Sequence, residues 1–210
     1  ILGVLQIILG LSMIVPIMAQ FYYNQVDSGF IGSGLVSIIF GVLFFLSNLD
    51  YEKKLTLPQA FLLTALSWLS IAIFGSLPFV FSDLSLSFTN AFFESMSGIT
   101  TTGSTILTNL NETPKAILLW RAMLQWLGGI GIIVMAITLM PIMNIGGMQL
   151  FVISNTHTPE KILPKSKEIS IRLIAIYSSL TLVCAFFYKI FGMSFFDSIC
   201  LLYTSPIPRD

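Results

Sequence analysis

Apolar residues run through this chain in long blocks rather than in alternation. Five stretches, residues 1–23, 30–49, 58–82, 116–140 and about 169–190, are almost uninterrupted by charge. Each is near the ~20 residues of helix needed to cross a hydrocarbon core, so the pattern predicts an all-α integral membrane protein. The first three carry no charged residue. The fourth carries Arg121, and the fifth has Arg172 and Lys189 near its two ends, where long side chains reach headgroups. The first stretch is too long for a secretory signal and lacks a basic leader, so it reads as a retained helix. With Ile1 in place of an initiator Met, the expectation is that the natural N-terminus lies upstream.

Between the third and fourth stretches the pattern changes. In LSLSFTNAFFESMSGI, Phe88, Phe92, Phe93 and Met96 recur at helical spacing. A helix over residues 86–98 is roughly 20 Å long, enough to enter a bilayer and stop midway. SMSGITTTGST follows, in which seven of the eleven residues from Ser95 to Thr105 are Ser or Thr. Two readings stand. One is an external Ser/Thr-rich loop. The other is a re-entrant pore segment, because non-helical backbone at membrane depth survives only when buried in protein or lining a watery cavity. In the second reading the helix points its negative C-terminal end at the midplane. The following carbonyls then replace an ion's hydration shell, with Gly103 supplying dihedrals closed to other residues. Without a carboxylate cage, such a site suits a monovalent cation better than Ca²⁺ or Mg²⁺.

Composition and charge narrow the rest. Mean hydropathy is +0.90 and formal net charge is zero, with no basic cluster to point to nucleic acid. Cys184 and Cys200 lie in apolar surroundings and read as packing residues. The lone His157 has no Cys or second His at ligand spacing. Lys53 and Lys54, and later Lys161, Lys165 and Lys167, mark two loops as cytoplasmic, whereas YYNQVDSG has no Lys or Arg. These loops alternate if the N-terminus is cytoplasmic and residues 83–115 face outward. The expected organisation is a helix pair (1–57), a helix–pore helix–filter–helix unit (58–143), a cytoplasmic linker (144–168), the start of a second unit (169–200) and an atypical tail (201–210).

Glu94 and Arg121 are the ionisable residues well inside predicted membrane segments, where charges are expensive and usually paired or functional. A structural ion pair fixing the short helix is the favoured reading; separate water contact and direct ion binding are the alternatives. Gly128, Gly129 and Gly131 offer a smooth face for close helix packing, with a hinge as the alternative. Pro16, Pro78 and Pro141 are expected kinks or terminators.

FFESMSGITTTGSTIL, LLWRAMLQWLGGIGIIVMAITLMPI and GGMQLF resemble the TrkH branch of the Trk/Ktr/HKT potassium transporters, over roughly residues 58–198. The resemblance implies four covalently linked helix–pore helix–filter–helix units around one ion path, after an extra N-terminal helix pair. It implies K⁺ as the transported ion with no organic cofactor, and carbonyls of Thr101, Thr102 and Gly103 as its ligands, with Thr100 and Ser104 flanking. Gly103 argues for K⁺, since Ser at that place accompanies Na⁺ selectivity in plant relatives. It further implies a bacterial inner-membrane location among lipid, a homodimer and a cytoplasmic nucleotide-binding regulatory subunit of TrkA type. GMSFFDSIC resembles the opening of a second pore helix, but LLYTSPIPRD departs from the family and two prolines cannot continue such a helix. The chain thus holds one complete unit of four. Two other classes are weighed against a conducting subunit: a polytopic membrane enzyme, which would need convergent catalytic groups, and a non-conducting assembly subunit.

Overall fold

The protein is described from a computed structural model, over residues 1–24, 27–47, 57–84, 86–108, 113–143, 162–194, 196–198 and 200. Its described elements are helical: α1 (Leu2–Ser12), α2 (Ile14–Tyr22), α3 (Gly29–Leu46), α4 (Leu57–Phe81), α5 (Phe88–Ile99), α6 (Lys115–Met143) and α7 (Ile162–Ile190). Five helices or helix pairs are long and apolar enough to cross a membrane: Leu2–Tyr22, Gly29–Leu46, Pro58–Phe81, Lys115–Met135 and Glu168–Ile190. The expected all-α membrane architecture is therefore observed. The loop holding Lys53 and Lys54, most of the linker with His157 and Lys161, and the tail lie outside the described residues. Two compact units emerge, Ile1–Gly128 and Gly129–Leu202.

In the first unit, the opening span is two helices because of Pro16. Proline has no N–H to give to the carbonyl four residues back. The ladder slips there: Met13 N reaches Gly10 O at 3.3 Å, and regular bonding resumes with Ile17 N to Met13 O at 3.2 Å. The first part, α1, packs against α3 through glycines. A methyl added at Gly3 would lie 2.6 Å from the Gly41 carbonyl oxygen, and one at Gly41 2.9 Å from the Gly3 oxygen. In lipid, where apolar burial supplies little drive between helices, such close backbone approach is what holds them. Gln6 adds a polar tie, its Nε2 donating to Ser70 Oγ of α4 at 2.6 Å.

At one end of the unit the N-terminal pair is joined to the close of α4 and the start of α6. Asp27 accepts from Gly29 N at 2.8 Å and from Asp83 N at 3.2 Å. Lys115 Nζ sits 4.1 Å from the centre of the Tyr23 ring. Behind these contacts Phe30, Phe79 and Trp120 are fully buried, with Phe30 edge-on to Trp120 at 6.2 Å. The Trp120 Nε1–H donates to Gly75 O at 2.9 Å, tying α6 to α4 close to Pro78.

Short α5 begins at Ser87, whose hydroxyl accepts from Asn90 N at 3.4 Å. At 12 residues it is about 18 Å long, within a residue or two of expectation. The second unit holds the end of α6 and all of α7, which starts at Ile162, earlier than the apolar stretch. Its first turn accommodates Pro164, since no N–H is needed there. Beyond α7, Ser194 Oγ accepts from Asp197 N at 3.1 Å, repeating in SFFD the start found in SFTN. Neither Cys184 nor Cys200 is in a disulfide.

Candidate functional site

The hydroxyl run leaves α5 by folding back onto it. Thr100 N and Thr100 Oγ1 both donate to Met96 O, at 3.0 and 2.7 Å. The next three amides also return to the last turn of α5: Thr101 N to Gly98 O at 2.9 Å, Thr102 N to Ser97 O at 3.0 Å and Gly103 N to Ser97 O at 3.3 Å. The described residues contain no cis peptide. In a trans peptide the C=O points opposite to the N–H of the same plane. The carbonyls of Thr100, Thr101 and Thr102 therefore all point away from the helix that takes the amides. Three consecutive oxygens share one side.

Dihedrals make this possible. Thr101 has φ +58° and Gly103 φ +77°, while Thr102 and Ser104 are not positive. Such alternation of hand turns successive peptide planes so that like atoms face one way. For Gly103 the left-handed region carries little penalty. For Thr101, β-branched, it is a genuine outlier costing about 1–2 kcal/mol. Backbone strain of this kind concentrates at functional sites.

Downstream, the loop is fastened by buried groups. Glu94 is fully buried; its Oε1 accepts from Thr105 Oγ1 at 2.6 Å and from Ile106 N at 2.5 Å. Its Oε2 accepts from Arg121 Nε at 2.9 Å. Arg121 Nη2 extends past the carboxylate to Gly103 O at 2.8 Å and Ser104 O at 3.3 Å. Ser97 Oγ donates to the same Ser104 oxygen at 2.6 Å. Thus the structure brings Glu94 and Arg121 together, and the pair holds residues 103–106 as well as the helix. Thr100 and Thr102 join hydroxyl to hydroxyl at 2.8 Å.

The Gly103 carbonyl, an ion ligand by the resemblance, accepts from the Arg121 guanidinium. Of the glycines of LGGIG, Gly128 and Gly129 meet different neighbours. A methyl on Gly128 would sit 1.9 Å from Ile99 O, at the end of α5. One on Gly129 would meet the Tyr177 hydroxyl at 2.7 Å, in the second unit. Gly131 is half-buried.

The sequence reading overlooked Ser97, Thr105 and Gln125. Ser97 stood inside the hydroxyl run, but nothing in the run marks it as an anchor. Gln125 follows Arg121 by four residues, a spacing that puts both on one face of α6 and would have found it.

The filter-like loop and its flanking helices find matches among known proteins. A family model described as TrkH, cation transport protein, matches residues 27–197. The chain belongs to the TrkH cation transport family. The Trk system potassium uptake protein TrkI of Halomonas elongata is 37% identical over 206 residues, covering 98% of this chain and 42% of that protein. The Trk system potassium uptake protein TrkH of Escherichia coli is 38% identical over 203 residues, covering 95% of this chain and 42% of that protein. The crystal structure of the potassium transporter TrkH from Vibrio parahaemolyticus matches with a TM-score of 0.83 at 35% identity, over 96% of this chain and 40% of that one. The chain thus spans about two-fifths of the length of these relatives.

Proposed function

We propose that this chain carries the N-terminal helix pair and first filter unit of a potassium-conducting membrane protein. The observation that carries the reading is the run of three carbonyls, Thr100, Thr101 and Thr102, turned to one side while their amides are tied to α5. Oxygens so arranged replace the hydration shell of a monovalent cation, and a loop held from behind keeps them at a set spacing. Gly103 supplies the turn, Ser104 flanks it, and Glu94 with Arg121 serves as the structural pair that fastens the loop. K⁺ is the substrate, moved down its electrochemical gradient, and the likeness to potassium uptake proteins supports that choice.

By family membership the full protein places three further filter walls around the same path, sits in the bacterial inner membrane with its N-terminus cytoplasmic, and works as a homodimer. A cytoplasmic nucleotide-binding regulatory subunit is its partner, and no organic cofactor takes part. An enzymatic role has less support: Glu94 and Arg121 are consumed by structural bonds.

The test is Gly103→Ser beside Thr102→Val in the full-length protein. At Gly103 there is room for a side chain, the nearest heavy atom being Gln125 Nε2 at 3.7 Å from an added methyl. The penalty is therefore conformational, about 1–2 kcal/mol at φ +77°. Gly103→Ser should lower Rb⁺ flux relative to Na⁺ flux and slow K⁺-limited growth of an uptake-deficient strain, at normal membrane expression. Thr102→Val keeps the carbonyl and loses the hydroxyl, and its effect should be smaller. Unchanged selectivity in Gly103→Ser means that this loop does not line an ion path.

A further inference from the structure

We infer that the side chains of Thr100 and Thr102 form one positioning device: their hydroxyls close a bridge over Thr101 that holds its left-handed backbone and fixes the relative direction of the Thr100 and Thr101 carbonyls. The inference rests on the reading of residues 100–104 as an ion filter. It gives a role to two hydroxyls, where that reading uses only backbone oxygens.

The direction of each hydrogen in the bridge follows from counting donors. Thr100 Oγ1 lies 2.7 Å from Met96 O and 2.8 Å from Thr102 Oγ1. A threonine hydroxyl has one hydrogen to give and lone pairs to accept. Met96 O is a carbonyl and can only accept, so the Thr100 hydrogen goes to it. Thr102 must then supply the hydrogen between the two hydroxyls. The chain of donation runs from Thr102 Oγ1 to Thr100 Oγ1 to Met96 O and ends on the last turn of α5. Met96 O also takes the Thr100 amide at 3.0 Å, and its two lone pairs serve both donors. Bonds that run in one direction polarise and strengthen one another.

Thr101 is the residue this chain spans. Its φ of +58° is costly for a β-branched side chain, and something must hold it there. The amide bonds to Gly98 O and Ser97 O tie the loop to α5 through the backbone. The hydroxyl chain is a second tie, made through side chains, and it joins the residues on either side of the strained one. A swing of Thr101 to negative φ turns the peptide plane before it against the plane after it. That swing parts Thr102 from Thr100 and breaks the hydroxyl link. The same two planes carry the carbonyls of Thr100 and Thr101. Ion choice then depends on the hydroxyls through the set of those carbonyls, without either hydroxyl having to touch the ion.

The experiment is a double-mutant cycle in the full-length protein with Thr100→Val and Thr102→Val, which keep the branched shape and delete the hydroxyl. Deuterium exchange of the Thr101 and Thr102 amides reports loop opening, and the Rb⁺-to-Na⁺ flux ratio reports ion choice. A merely structural role changes the amount of folded protein and leaves that ratio alone. Thr102→Val removes one hydrogen bond, so it should speed exchange about fivefold and lower the ratio, though less than Gly103→Ser does. In the Thr100→Val background the bridge is already gone, and Thr102→Val should then change neither readout further. Thr100→Ser keeps the oxygen and its hydrogen and should restore most of what Thr100→Val loses. If Thr100→Val fails to reach the membrane, Thr100→Ala serves as the background with the same expectation. Equal factors for Thr102→Val in both backgrounds mean that the hydroxyls act apart, and the inference is overturned; so is it if Thr102→Val alters neither readout. Faster exchange with an unchanged ratio overturns the link to ion choice. If Gly103→Ser also leaves the ratio unchanged, the filter reading falls. Exchange then decides the bridge alone: a Thr102→Val effect that vanishes in the Thr100→Val background upholds it, and any other result removes it.

Discussion

Replacing Glu94 with Gln is the sharpest probe of how the loop is held. The side chain keeps its volume but loses its charge. Glu94 now accepts three hydrogen bonds, from Thr105 Oγ1, Ile106 N and Arg121 Nε, in a place with no solvent exposure. If the amide oxygen of Gln stays with Thr105 and Ile106, its NH₂ must face Arg121 Nε, donor against donor, across a gap that now measures 2.9 Å. If it turns around, the Thr105 hydroxyl and Ile106 amide lose their acceptor. Either way Arg121, whose side chain is 9% exposed, keeps a charge with no counterion. Removing one partner of a buried pair costs about 3–5 kcal/mol, which is between a hundredfold and several-thousandfold in the folding equilibrium. Arg121→Met should cost less, because Glu94 retains two donors, although Gly103 O and Ser104 O lose one. The double variant should be more stable than the sum of the single losses predicts, by at least ~2 kcal/mol, since no charge is then left alone. Unfolding free energies of the purified full-length protein, from detergent titration in mixed micelles, measure all three. Losses that add to within ~0.5 kcal/mol would mean the two residues act independently and would refute the clamp.

Gly128→Ala should displace the end of α5, since the methyl would sit 1.9 Å from Ile99 O, and should cost ~1–3 kcal/mol as overpacking; thermal unfolding and K⁺ flux check it. Thr101→Gly relieves the left-handed strain at φ +58° and should raise thermal stability by up to ~1 kcal/mol while lowering the Rb⁺-to-Na⁺ flux ratio, and a loss of stability would show the strain is absent. Trp120→Phe keeps the ring against Phe30 but leaves Gly75 O without its donor, for a loss of ~1 kcal/mol by the same unfolding assay. Single cysteines in intact cells should be labelled by an impermeant reagent at position 109 and spared at 53 and 161; labelling at 53 reverses the topology.

The sequence by itself determined what depends on neighbours along the chain. Uninterrupted apolar blocks yield spans because crossing lipid is a question of length and polarity, and the boundaries of the five spans fall within about five residues of the blocks. Phe88, Phe92 and Met96 at helical spacing give α5, and Ser87 starts it. Pro16 breaks the first span because a missing N–H is a local fact. Even Gly103 in the turn is legible, as the one residue of its loop with no penalty at positive φ. Tertiary structure decided which way each carbonyl turns. That depends on the rotation of each peptide plane, set by amide bonds to the Ser97 and Gly98 oxygens and by a guanidinium 18 residues away on the Gly103 carbonyl. No periodicity encodes it. The same holds for Gly128 and Gly129. Adjacent in sequence, they point about 100° apart around a helix of 3.6 residues per turn, so one meets the end of α5 and the other meets Tyr177.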